Sequence, residues 1–330
     1  MNVRYTTIFT IILIFLSGAL AGWFFTRTAQ EKNQLAADQP KQAAQKSAPE
    51  QYPLLSKRIF TSDPNDIIIN FIPLREVLKD YVEKQAGKVG VYFEYLPSGT
   101  SIGINDKEEV KLSSLSKVPM VMSILKKVER GQMSLGDEFV IEKNDLNQEF
   151  GDLWKRGEGA RLSVEELIRL ALAESDNTAY YVLSDQLTSR EINEVYDNLD
   201  IPLSQKEEED KIYPIVSPKN YSSIFRSLYL SSFLSEKNST YILNILTQTA
   251  FNDKIVAGVP KNIPVAHKIG VFEETDTSRN ILTDCGIIYI PNRPYILCAF
   301  VSDTDEQAQK HISYISKMIY EYIITIKGGD

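Results

Sequence analysis

Histidine and cysteine are almost missing from this chain, with two of each in 330 residues. With so few, neither a Cys/His metal cluster nor a Cys–His nucleophile pair is expected. An excess of basic charge is missing too. Lys and Arg number 36 against 44 Asp and Glu, for a net charge of −8. No basic run or basic–aromatic alternation offsets that balance, so nucleic acid is excluded as a partner. There is no glycine-rich phosphate loop and no internal repeat, and no cofactor is expected. What remains is 43% hydrophobic content, ample for one large core or two lobes sharing an interface.

Long apolar runs are also missing, with one exception at 6–25. Its length suits a bilayer crossing. Arg4 precedes it, and Arg27 and Lys32 follow. Ala19, Leu20 and Ala21 would serve as a small-residue cleavage site of a removable signal peptide. The run continues past them through Trp23, Phe24 and Phe25, an interfacial aromatic cluster that favours an uncleaved anchor. Residues 1–27 are therefore expected to form a transmembrane signal anchor, with the remainder exported. Residues 28–60 shift to Ala, Gln, Lys, Asp and Pro and read as a polar tether. A folded domain is expected over 61–330.

Within that domain, helical periodicity over 74–84 is followed by a strand at 89–96, a turn at 97–100 and a return strand at 101–105. Leu115, Val118, Val121, Met122, Leu125 and Val128 then recur at helical spacing, in a helix that Gly131 ends. Residues 135–159 read as a loop-rich excursion. Ser163 caps the next helix, with Glu166 reaching back to it. Helical patterns follow at 180–187 and 189–198, then a polar break at 202–214, then helices at 218–230 and 235–249. The final third turns to strands at 264–271, 281–290 and 295–301, and a C-terminal helix carries Ile312, Ile315, Ile319, Tyr322 and Ile323 on one face. Early strands, a helical middle and late strands imply an α/β (α+β) fold. Its sheet is built from both chain ends and flanked by helices, with an all-helical lobe and a site in the cleft between.

Three short patterns carry the chemistry. Ser114 and Lys117 are three residues apart at a helix start, so hydroxyl and amine share a face. A serine hydroxyl needs an adjacent base near pH 7, and a lysine whose charge is disfavoured by burial can serve. Ser175, Asp176 and Asn177 follow at the end of the Ser163 helix, and Lys268, Ile269 and Gly270 lie on a late strand. Taken singly, each has a bland alternative: an N-capping serine with a solvated lysine, a helix C-terminal turn, a solvated strand residue. Their order and joint presence are specific.

With these three boxes the chain resembles the penicillin-recognising serine enzymes, the class A β-lactamases above all, from about Val91 to the C-terminal helix. The resemblance implies that Ser114 attacks a carbonyl and is acylated, while Lys117 takes its proton directly or through water. It implies that Ser175 relays a proton to the departing amine, that Asn177 binds the substrate amide and Lys117, and that Lys268 attracts the substrate carboxylate. It places the oxyanion hole at the backbone N–H groups of Ser114 and Val271, with Gly270 beside them. Implied substrates are β-lactam amides or a peptidoglycan stem peptide, the latter for a D-alanyl-D-alanine peptidase.

Two departures bear on activity. Ile269 stands where the family has Thr or Ser, and a lost hydrogen bond to a charged group costs about 1.5–3 kcal/mol. Arg279 is the nearest compensating cation in sequence, but Glu273, Glu274 and Asp276 share its loop. The family's water-activating glutamate loop is matched only partly, by Glu209 and Ile212 within the acidic run Glu207, Glu208, Glu209 and Asp210. Without a positioned base an acyl-enzyme would hydrolyse slowly, which favours a penicillin-binding or peptidase-like enzyme. A third reading is a catalytically idle wall-binding module. His267 is expected to pack on its strand. Cys285 and Cys298 flank the last hairpin as a disulfide or as two buried thiols.

Overall fold

The computed structural model describes residues 70–202, 204–208, 211–273 and 279–325. The expected anchor at 1–27 and tether at 28–60 lie outside these residues. Among the described residues no helix is long and apolar enough to cross a membrane.

In chain order the elements are α1 (Ile72–Glu83), β1 (Lys88–Tyr95), β2 (Thr100–Ile104), β3 (Val110–Lys111) and a 3-10 turn (Ser113–Ser116) that runs into α2 (Lys117–Glu129). Next come β4 (Glu138–Val140), β5 (Arg161–Ser163), α3 (Val164–Ala173), α4 (Asn177–Ser184) and α5 (Ser189–Asn198). Then follow β6 (Ser204–Glu208), β7 (Lys211–Val216), α6 (Pro218–Leu230) and α7 (Glu236–Leu246). The chain closes with β8 (Val265–Glu273), β9 (Asn280–Ile288), β10 (Tyr295–Asp303) and α8 (Asp305–Thr325).

Five strands form an antiparallel sheet in the order β2-β1-β10-β9-β8, so the first strands of the domain pair with the last. Strand alternation sorts the side chains of the central pair onto two faces. Val89, Val91, Phe93 and Tyr95 of β1 join Tyr295, Leu297, Ala299 and Val301 of β10 in one core. That core is closed by Leu74, Leu78 and Val82 of α1 and by Ile312, Ile315, Ile319 and Ile323 of α8. Tyr92, Ile296, Cys298 and Phe300 face the other way, into a core that runs on without a break through α2, α3, α4, α6 and α7. The helical lobe expected from sequence therefore shares its core with one face of the sheet. Cys285 and Cys298 are directly opposed in the β9–β10 register and are joined as a disulfide.

Three expectations are corrected. The polar break at 202–214 contains the hairpin β6–β7, and β7 pairs with β3 just before the Ser114 turn. Backbone pairing, which composition does not report, decides that segment. The excursion at 135–159 contains β4, which pairs with β5. The Ser163 cap forms, accepting Glu166 N–H at 3.2 Å, but the Glu166 carboxylate pairs with Arg156 at 2.8 Å.

Candidate active site

Ser114 lies in the 3-10 turn that precedes α2, where an α-helical start was expected. In a 3-10 turn residues i and i+3 eclipse, which brings Ser114 directly over Lys117. The turn is held from below by Tyr221 of α6, fully buried, whose hydroxyl donates to the Leu115 carbonyl at 2.8 Å. Ser114 is half-buried, so a ligand can reach it.

Lys117 is 2% exposed and lies at the centre of the site. Its Nζ is 2.9 Å from Ser114 Oγ, 2.8 Å from the Ser175 carbonyl, 2.6 Å from Asn177 Oδ1 and 3.3 Å from Ser175 Oγ. Burial pushes its pKa down to about 7, against a smaller upward pull from Asp176 and Glu149. Two of its four partners, a carbonyl and an amide oxygen, can only accept hydrogen bonds. Once neutral, the amine spends its two N–H groups on those oxygens and turns its lone pair toward the hydroxyls.

The second box is set by a strained turn. Ser175 links α3 to α4 with φ at 56°, a left-handed conformation uncommon outside glycine. This turns both its carbonyl and its hydroxyl onto Lys117. Asp176, between the two polar site residues, is structural. Its carboxylate accepts Ala179 N–H at 2.9 Å, capping α4, and Leu153 N–H at 2.9 Å. Gly151 is required opposite it, because a Cβ there would lie 2.0 Å from Asp176 Oδ2. The helix-turn reading and the site reading of this box therefore hold together, for different residues.

Asn177 is oriented by Asn147, which the sequence reading missed. Asn147 Oδ1 accepts Glu149 N–H at 2.9 Å and Asn177 Nδ2 at 3.0 Å, which leaves Asn177 Oδ1 for Lys117. Asn147 lies in an irregular segment with no periodicity or motif to mark it.

The third box comes from β8, the edge strand. Lys268 is 1% exposed and donates to Ser175 Oγ at 2.8 Å. Burial and the neighbouring Lys117 hold it well below the usual lysine range, and Asp284 acts in the opposite direction. Gly270 faces the Ser113–Ser116 turn, where a Cβ would lie 2.6 Å from Thr283 Oγ1 and 3.3 Å from Leu115 Cγ. Val271 presents its backbone outward, since its carbonyl accepts the Ser113 hydroxyl. Its N–H points the same way, because both main-chain groups of an extended residue lie on one side.

Alternation puts Ile269 on the sheet face opposite Lys268, 4% exposed. His267 shares that face and is fully engaged, 2.7 Å from Thr249 Oγ1 and 2.8 Å from Asp284 Oδ1. Arg279 is exposed, as is Glu273. Glu274, Asp276, Glu209 and Asp210 lie outside the described residues. Ser114, Lys117, Ser175, Asn177 and Lys268 are thus brought into one hydrogen-bonded cluster between β8 and the starts of α2 and α4.

Fold and site together define the class of serine hydrolases built like the lactamases and transpeptidases. The family model described as "Beta-lactamase enzyme family" matches residues 73–323, and the chain belongs to that family. Beta-lactamase VEB-1 of Pseudomonas aeruginosa is 22% identical over 272 residues, covering 75% of this chain and 89% of that protein. A β-lactamase from Sphaerobacter thermophilus superposes with a TM-score of 0.70 at 21% identity, covering 79% of this chain and all of that one. PBP-A superposes with a TM-score of 0.69 at 22% identity, covering 77% and 97%, and a variant of it is known as an acyl-enzyme complex with penicillin G.

Proposed function

We propose that this hydrolase opens β-lactam amides through an acyl-enzyme on Ser114. The observation that carries the reading is Lys117 Nζ, 2.9 Å from Ser114 Oγ and held by burial near a pKa of about 7. A base with that pKa is matched to neutral pH. Ser114 Oγ attacks the carbonyl carbon and its proton passes to the Lys117 lone pair. The oxyanion forms between the N–H groups of Ser114 and Val271. The C–N bond then breaks, and the nitrogen takes the Ser175 hydroxyl proton, which Lys117 replaces. Asn177 Nδ2 binds the substrate amide, and Lys268 draws in its carboxylate. Water finally cleaves the Ser114 ester.

A second reading, a D-alanyl-D-alanine peptidase or penicillin-binding protein with slow deacylation, is supported by the likeness to PBP-A. An idle wall-binding module is disfavoured, since a pure binder has no use for a buried lysine beside a reachable serine. Export behind an N-terminal anchor is proposed on the apolar run at 6–25.

Intact-mass measurement of the protein with a penicillin, followed over hours, tests the reading. A transient adduct on Ser114 with accumulating product supports the lactamase. A long-lived adduct supports the peptidase-like alternative, and no adduct sinks both for β-lactams.

A further inference from the structure

We propose that Ser113 is a positioning residue for the oxyanion hole, tying the nucleophile turn to the outer edge of β8 through the hydrogen bond from its hydroxyl to the Val271 carbonyl. The inference rests on the acyl-enzyme reading above, and it concerns a residue that the three boxes do not include.

The two proposed oxyanion donors belong to separate pieces of the fold. The Ser114 N–H belongs to the 3-10 turn, which Tyr221 fixes through the Leu115 carbonyl. The Val271 N–H belongs to β8, which is fixed to β9 on its inner side, where Thr283 Oγ1 also reaches the Gly270 carbonyl at 3.2 Å. Packing of Leu115 beside Gly270 limits how near the two can come, without a directed bond between them. The Ser113 hydroxyl bond crosses that gap.

The same residue also sets the tilt of the Ser114 donor. Ser113 C=O and Ser114 N–H belong to one rigid peptide plane and point in opposite directions. The carbonyl end of that plane is pinned by Ser116 Oγ at 2.8 Å. Ser113 has φ at 46°, left-handed and uncommon for a side chain with a Cβ. Such strain persists where the surroundings over-determine it, and here both the hydroxyl and the carbonyl of Ser113 are held. Oxyanion donors act over a narrow range, about 2.7–3.1 Å, so a small drift of turn against strand weakens both at once.

The test uses the full chain, with Ser113→Ala and Ser113→Gly. Both remove the hydroxyl, but only the glycine variant relieves the left-handed strain, so it keeps the measurement readable if the alanine variant folds poorly. The acylation rate constant with a penicillin is expected to fall roughly tenfold in both, the worth of one hydrogen bond expressed in the transition state. Affinity for a boronic acid, whose adduct on Ser114 puts an oxygen in the hole, is expected to fall by the same factor. Ground-state penicillin binding, measured on a Ser114→Ala background, is expected to stay unchanged. Acylation at the parent rate in both variants would overturn the proposal. So would parent-like acylation by the glycine variant alone, which would make strain the operative feature. An equal loss of ground-state binding would also overturn it, as general disorder of the site. Failure of the unsubstituted protein to form any adduct overturns the acyl-enzyme reading itself.

Discussion

Lys117 can accept the Ser114 proton only as a neutral amine, and burial makes that form available near pH 7. With its pKa lowered to about 7, its neutral fraction rises through the neutral range as pH increases. The acylation rate should therefore climb about tenfold per pH unit below 7 and level off above it. A flat profile from pH 5 to 9 would rule out Lys117 as the base. Lys117→Ala should slow acylation by about two to four orders of magnitude, the usual worth of a general base. Asp176 supplies an independent check, since its charge holds the Lys117 pKa up. Asp176→Asn should move the midpoint of the acylation profile to lower pH. It should also cost about 1–3 kcal/mol in denaturant unfolding, because an amide NH2 would face one of the two N–H groups the carboxylate now accepts. A midpoint that rises would contradict the assignment.

Three elements meet at the site, and β8 lies close against the Ser113–Ser116 turn. Gly270 permits it. A methyl group there would press on the Thr283 hydroxyl and the Leu115 side chain, both buried. Gly270→Ala should therefore push β8 outward and separate the two proposed oxyanion donors. We expect a loss of acylation of roughly tenfold or more, with a lowered melting temperature from overpacking. Parent-like acylation in that variant would show that strand and turn have slack. The strand also explains the third box. Alternation sends Lys268 and Gly270 toward the turn and Ile269 toward the opposite face. The residue that departs from the family is thus the one pointing away from Ser114.

Across the whole molecule, the sheet joins strands from the two ends of the domain, with β1 beside β10. The core between this sheet and helices α1 and α8 needs both ends at once. Removing residues 295–325 would expose Val91, Phe93 and Val301's partners on β1 and leave β1 and β9 without their shared neighbour. Such a chain should show no cooperative melting transition, as measured by calorimetry. A truncated chain that still melted cooperatively would mean that the helical lobe folds alone. The continuous core linking that lobe to the sheet argues for one cooperative unit.

Much of this was legible in the residues. The helices at α1, α5 and α6 and the last three strands follow from periodicity, because apolar spacing is a local property that burial then uses. Ser114, Lys117, Ser175, Asn177 and Lys268 are recognisable because their spacing and order are specific. Tertiary structure decided the rest. Residues 204–208, part of the expected polar break, became a strand because a pairing partner was present, and pairing is non-local. Cys285 and Cys298 face each other because of a register that depends on the length of the hairpin. Asn147 and Ser113 matter through partners 30 and 158 residues away. The pKa of Lys117 is set by what is packed around it, and sequence alone places a lysine there without saying whether it carries a charge.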